Sequence, residues 1–205
     1  SGVKNYNGFD SHLKTVMDFP VEEAIRQALE NDGSGWGNGL TRVYDAVAMD
    51  YLYADVNNIM IMLGNHDMDR IADIVKDGDL RRVKIANALL ATMRGIPQVF
   101  AGDEYGLKSS DRSMGHSTLR MPLPLGKEVT AEMQDMFDYQ SRLFQWRKTE
   151  PIIHTGKTMH FIDRDNTYAY FRYDDNDVVF VYINNTDAER EVPWTRYAEI
   201  ASDLS

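Results

Sequence analysis

The chain has no cysteine among its 205 residues, which excludes disulfides, thiolate nucleophiles and zinc–thiolate sites together. That absence leaves the compartment undecided. Nor does any apolar run approach the roughly 20 residues that a membrane-spanning helix needs. Basic residues are in deficit: 22 Lys and Arg face 32 Asp and Glu, for a formal charge of -10, which argues against the clustered positive face of a nucleic-acid binder. Neutral and cationic ligands stay open. Also missing are an initiating methionine and, at Ser1-Gly2-Val3, the basic and apolar regions of a signal peptide. The beginning therefore reads as a cut, and secreted, periplasmic and cytoplasmic settings all remain admissible. What is present is ordinary for a globular protein, 43% apolar and 26% charged, and long enough for one fair-sized domain or a domain with a small appendix.

The chain is organised around Asn58 to Arg70, where the unbroken apolar run Ile59 to Gly64 meets the polar cluster Asn65, His66, Asp67, Asp69 and Arg70. A short continuous apolar run reads as a strand buried on both faces, the habit of parallel sheets covered by helices. In such folds ligand-facing groups sit just past the carboxyl ends of the strands. Upstream, Thr15-Val16-Met17 gives a short strand. Pro20 opens a helix over Val21 to Asn31, and Thr41 reads as the N-cap of a second helix running to Tyr51. Downstream, Leu80, Val83, Ala86, Leu90 and Met93 form a helical stripe closed by Arg94-Gly95. Ile96 to Ala101 follows as another buried-type strand, ending in Gly102-Asp103-Glu104. These are three strand–helix repeats.

A long stretch, Leu107 to Gly126, carries Arg112, His116 and Arg120 without the pattern of a regular element, and its length alone suggests function or disorder. Thr130 then caps a long helix to Lys148. From Pro151 the apolar period changes to 2, with strands at Met159 to Phe161, Tyr168 to Tyr173 and Val178 to Ile183, the last two joined by a turn at Asp174 to Asp177. The sequence thus predicts an α/β unit over residues 1–150 and the start of an all-β unit over 151–205, with too few strands to close a sandwich.

Two of these strand ends resemble diagnostic motifs of the alpha-amylase family of glycoside hydrolases. Met62-Leu63-Gly64-Asn65-His66-Asp67 is similar to F-x-x-N-H-D with Met at the aromatic position, and Gly95, Pro97, Gly102 and Glu104 complete G-x-P-x-x-x-x-G-x-E. They occur in order with a helical stripe between, which makes the pair far more specific than either alone. Val16-Met17-Asp18-Phe19-Pro20 and the run Asn65 to Arg70 resemble neopullulanases and cyclomaltodextrinases in particular. The resemblance implies the last three strand–helix units of a (β/α)8 TIM barrel followed by an incomplete antiparallel β-sandwich. It also implies retaining cleavage of α-glucosidic bonds in maltooligosaccharides, pullulan or cyclodextrins.

On that alignment the nucleophilic Asp and the general-acid Glu fall on strands outside this chain. Retaining hydrolysis needs both carboxyls, about 5–5.5 Å apart, so the chain alone is expected to be inert. Asp67 matches the family's third carboxylate, which favours the distorted, oxocarbenium-like sugar ring. As a residue taken alone, Asp67 reads equally as an N-cap for a piece starting at Met68 or Asp69. His66 is expected to donate to a sugar hydroxyl and Asn65 to orient its neighbours. Arg70 is expected either to contact substrate or to pair with Asp67 or Asp69. Asp103 and Glu104 share the rim, Glu104 as support, while Trp36, Tyr105 and Trp146 are candidate stacking surfaces. No metal ligand or cofactor is assigned within the chain, and calcium in a longer protein stays open. Two other classes compete. Gly64-Asn65-His66-Asp67 also resembles the metal-binding G-N-H-D of metallophosphoesterases, with Asp10-Ser11-His12 as a stray D-x-H; and the chain could be a non-catalytic sugar-binding or assembly piece. The unpaired edges of a partial barrel predict self-association.

Overall fold

The structure, a computed structural model, describes residues 13, 15–31, 33 and 35–198. Helix α1, Phe19–Glu30, begins where Asp18 accepts the Val21 N–H at 3.3 Å with Pro20 in its first turn, and it buries Val21, Ala24, Ile25, Ala28 and Leu29. Helix α2, Thr41–Ala48, departs from expectation at both ends. Thr41 is its first residue and not its cap; the cap position is Leu40, whose N–H is taken at 3.2 Å by the side chain of Asn166, so a long-range bond fixes the helix start. The helix stops before Tyr51 and tightens into a 3-10 turn at Asp50–Leu52, which delivers Asp50 to Arg94. The Arg94 guanidinium is buried between carboxylates, donating to Asp18 at 2.6 Å and to both oxygens of Asp50, while Tyr53 donates to Asp18.

Strand β1, Met60–Met62, lies parallel to β2, Ile96–Gln98, and Met17 joins the far side of β1 through a parallel bridge. The Met60 N–H donates to Val16, the Asp18 N–H to Met60, and the Ile96 N–H to Ile59. Both ladders are shorter than the apolar runs that announce them. The central run is buried as expected, with Ile61, Met62 and Leu63 at 2% exposure or less. The second run, which contains β2, is not, since Ile96 and Val99 are 44% and 38% exposed. The cause is position: among the described residues no strand pairs with the outer side of β2, so its apolar residues have one neighbour where a central strand has two. Gly95, the residue before β2, has φ +97°, where a Cβ would stand 2.6 Å from the Ile59 carbonyl oxygen, so only glycine lets β1 and β2 approach. Short α3, Ile71–Ile74, precedes α4, Leu80–Thr92, which buries Val83, Ala86, Leu89 and Leu90 and lies against α5, Ala131–Thr149.

A short helix α6 at Pro151–Thr155 precedes the β unit, whose first strand begins two residues before the expected Met159. Strands β3, Lys157–Arg164, β4, Thr167–Tyr173, and β5, Val178–Asn184, form an antiparallel sheet in sequence order, with the expected turn closed by Asp174 N–H donating to Asp177. β4 is buried on both faces. Tyr168 and Tyr170 share one apolar cluster with Leu29, Val43 and Leu90, while Ala169 and Phe171 join Tyr197 in a second cluster on the outer side. Asn185 ties the sheet down by accepting from Arg82 and donating to the Ala28 carbonyl.

One buried carboxyl gives a pH signature. Glu22 is 1% exposed and its Oε1 accepts no hydrogen bond, although Arg26 Nε lies 3.0 Å away. Burial raises its pKa from 4.5 to about 7, against the opposing charge of Arg26. Stability from this group is therefore full below pH 4.5, the unfolded value, and is lost as pH rises through about 7. Glu22→Gln does not titrate, so it should gain on wild type by about 2–3 kcal/mol between those limits. The measurement is the difference in urea midpoint across pH, and parallel curves would refute it.

Candidate functional site

The loop that leaves β1 is shaped by its own polar side chains. Asn65 Oδ1 accepts the Asp67 N–H at 2.8 Å, an Asx turn that leaves the Asp67 carboxylate 58% exposed. From below, Arg26 donates to the carbonyls of Leu63 and Asp69, at 3.3 and 2.5 Å, pinning the two ends of the loop. Asp67 caps nothing, because α3 begins only at Ile71 with Arg70 at its cap position. His66 Nε2 lies 3.2 Å from one Asp67 oxygen, while His116 Nδ1 and Arg120 Nη2 each lie 3.6 Å from the other. The exposed carboxylate is thus ringed by two imidazoles and one guanidinium, all open to solvent.

His116 and Arg120 come from the long segment between β2 and α5, which the structure folds into successive 3-10 turns at Arg112–Met114, His116–Leu119 and Gly126–Glu128. Arg120 also donates to the His116 carbonyl at 2.9 Å. Sequence reasoning marked the segment by its length but gave neither residue a role, since nothing in their spacing from Asp67 foretells the contact.

Arg70 is the clear correction. It pairs with neither Asp67 nor Asp69. Its guanidinium is buried at 2% exposure, stacked over Phe100 at 4.4 Å, and donates to Asp103, to the Ala101 carbonyl and to the Leu119 carbonyl at 2.9, 3.0 and 3.0 Å. Because Asp103 follows β2 and Arg70 follows β1, both acidic strand ends lie on one rim. Burial raises the Asp103 carboxyl to about 6 in spite of the lowering charge and hydrogen bond of Arg70. Glu104 turns back to accept the Gly102 N–H at 2.7 Å, the supporting role expected of it.

The aromatic candidates do not gather here. Tyr105 stacks on Phe137 at 5.4 Å, Trp146 is half-buried on α5, and Trp36 stands exposed on the loop whose end, Gly39 and Leu40, lies against Asn166. A binuclear metal site finds little to build on. Asn65 Oδ1 is occupied within its own turn, and among the described residues no group of three or more His, Cys, Asp or Glu is placed to hold a metal ion. Asp10 and His12 lie outside the described residues. None of the described helices is long and apolar enough to cross a membrane.

Comparison with known proteins accords with this picture. Residues 158–205 match the family described as the cyclo-malto-dextrinase C-terminal domain. The chain is 25% identical over 181 residues to a cyclomaltodextrin glucanotransferase of Geobacillus stearothermophilus, covering 85% of this chain and 23% of that protein. It is 29% identical over 170 residues to an alpha-amylase of Niallia circulans, covering 83% of this chain and 30% of that protein. Its fold matches the crystal structure of AmyP in complex with maltose with a TM-score of 0.71 at 19% identity, over 85% of this chain and 40% of the other. The chain thus spans less than a third of the length of these two curated relatives.

Proposed function

From its likeness to alpha-amylase family proteins along most of its length, we propose that this chain is part of a longer glucan-cleaving enzyme. In that enzyme it would form the last three strand–helix units of a (β/α)8 barrel and the start of the β domain behind it. The observation that carries the reading is the exposed Asp67 carboxylate at the carboxyl end of β1, held outward by Asn65 and faced by His66, His116 and Arg120. In a retaining cleavage of α-glucosidic bonds, Asp67 accepts hydrogen bonds from hydroxyls of the reacting glucose and favours the flattened, positively charged ring over the relaxed one. His66 and Asn65 keep the roles read for them, donor to a sugar hydroxyl and orienting residue. His116 and Arg120 add donors of the same kind on the other flank. The substrates are α-glucan oligosaccharides: maltooligosaccharides, pullulan and cyclodextrins.

Nucleophile and general acid belong, on this reading, to strands outside the chain. The 205-residue chain should therefore release no reducing sugar from maltooligosaccharides, pullulan or cyclodextrins above a blank. Reproducible hydrolysis would show that the two missing carboxyls have been misplaced. Manganese-dependent phosphodiester cleavage would instead favour the metallophosphoesterase reading. The outer side of β2, with Ile96 and Val99 uncovered, further supports self-association of the isolated chain through open strand edges. Light scattering should report species larger than 205 residues, and a clean monomer would count against it.

A further inference from the structure

We infer that Arg70 is the positioning residue of this rim: buried behind Asp67, its guanidinium holds the Leu119 carbonyl and so brings His116 and Arg120 to the carboxylate. The inference rests on the reading of Asp67 as the working acid of the site.

Three chain segments meet at this one side chain. Arg70 leaves the β1 loop three residues after Asp67; its Nη1 and Nη2 bond Asp103 and Ala101 beyond β2; its Nε bonds Leu119, which sits between His116 and Arg120. Leu119 is 2% exposed, so the segment is anchored by apolar burial at the same residue whose carbonyl Arg70 holds. By contrast the residues it presents are open: the side chains of His116 and Arg120 are 65% and 49% exposed, and neither is held to Asp67 by more than a 3.6 Å contact. Exposed pairs at that distance are too weak to fix a loop by themselves. The buried, three-point Arg70 contact supplies the order, since a planar guanidinium with fixed donor directions sets the angle between segments in a way a flexible ammonium cannot. Space is tight around it as well: a Cβ on Gly102 would stand 3.0 Å from Arg70 Nη1. The glycine of the second motif thus admits the guanidinium to the rim.

The test follows the imidazole C–H signals of the 205-residue chain by NMR at fixed pH. Asp67→Asn should shift the signals of His66 and His116 and leave those of His154 and His160 in place. Arg70→Lys keeps the charge but loses the fork, and should shift His116 by at least half as much while His154 and His160 again stay put. Asp103→Asn, which leaves Arg70 its two carbonyls, should shift His116 less than Arg70→Lys and keeps the comparison open if the lysine variant does not fold. If His116 responds to Asp67→Asn but to neither variant of the Arg70 pair, the positioning role is overturned while the site stands. If Asp67→Asn moves neither histidine, the site reading fails and the inference falls with it. A general loss of order would move His154 and His160 too, and would equally count against a specific role.

Discussion

Asp67→Asn, made in a full-length protein that carries this chain, is expected to lower glucan turnover by about 10²- to 10³-fold. The folded structure should be unchanged. The reasoning is local: the carboxylate is 58% exposed, is held outward by a bond to its own backbone N–H that Asn keeps, and meets His66, His116 and Arg120 only at 3.2 to 3.6 Å. Little stability depends on such exposed pairs, so the loss would fall on kcat and not on the melting temperature. An Asn side chain has the same shape but cannot stabilise a ring that gains positive charge as the bond breaks. Turnover close to wild type would remove Asp67 from the mechanism.

Arg94→Met should produce the largest loss of stability, about 3–5 kcal/mol, because it strands a buried carboxylate without its cation. Arg94 and Asp18 are each 1% exposed, and the same guanidinium also holds Asp50. Arg94 stands just before β2, Asp18 caps α1 and Asp50 follows α2. One side chain therefore fixes three segments that are distant in sequence. For a chain of this length the thermal midpoint should fall by roughly 10 °C. A second change, Asp18→Asn, should recover part of the loss, since it removes the charge left unpaired. A melting curve unchanged by Arg94→Met would show that this buried cluster contributes nothing.

Much of the framework was legible because it follows from local chemistry. Pro20 and the apolar spacing announced α1, the stripe from Leu80 to Met93 announced α4, and the turn from Asp174 to Asp177 is visible from its residues alone. The candidate site was half legible. Asn65, His66 and Asp67 form one continuous cluster at a strand end, and the structure keeps them together. What escaped is long-range. The pairing of Arg70 was sought in Asp67 or Asp69 because its real partners, Phe100, Asp103 and Leu119, lie 30 to 49 residues further on. The start of α2 was misjudged because its first N–H is satisfied by Asn166, 126 residues from Leu40. The apolar run of β2 reads as interior from sequence, yet whether it is covered depends on a neighbour that the run itself does not specify.

The placing of β4 has a consequence for how this chain can change over time. Tyr170 shares a hydroxyl contact with Thr92 at the end of α4, and Tyr168 and Ile183 lie in the same apolar cluster as Leu29 and Val43. The sheet is thus less an appended module than the outer wall of the helical half. Grafting it onto a foreign relative would demand matched volumes along the whole seam, so substitutions there should be inherited in compensating pairs, while the Asp174 to Asp177 turn is free to drift.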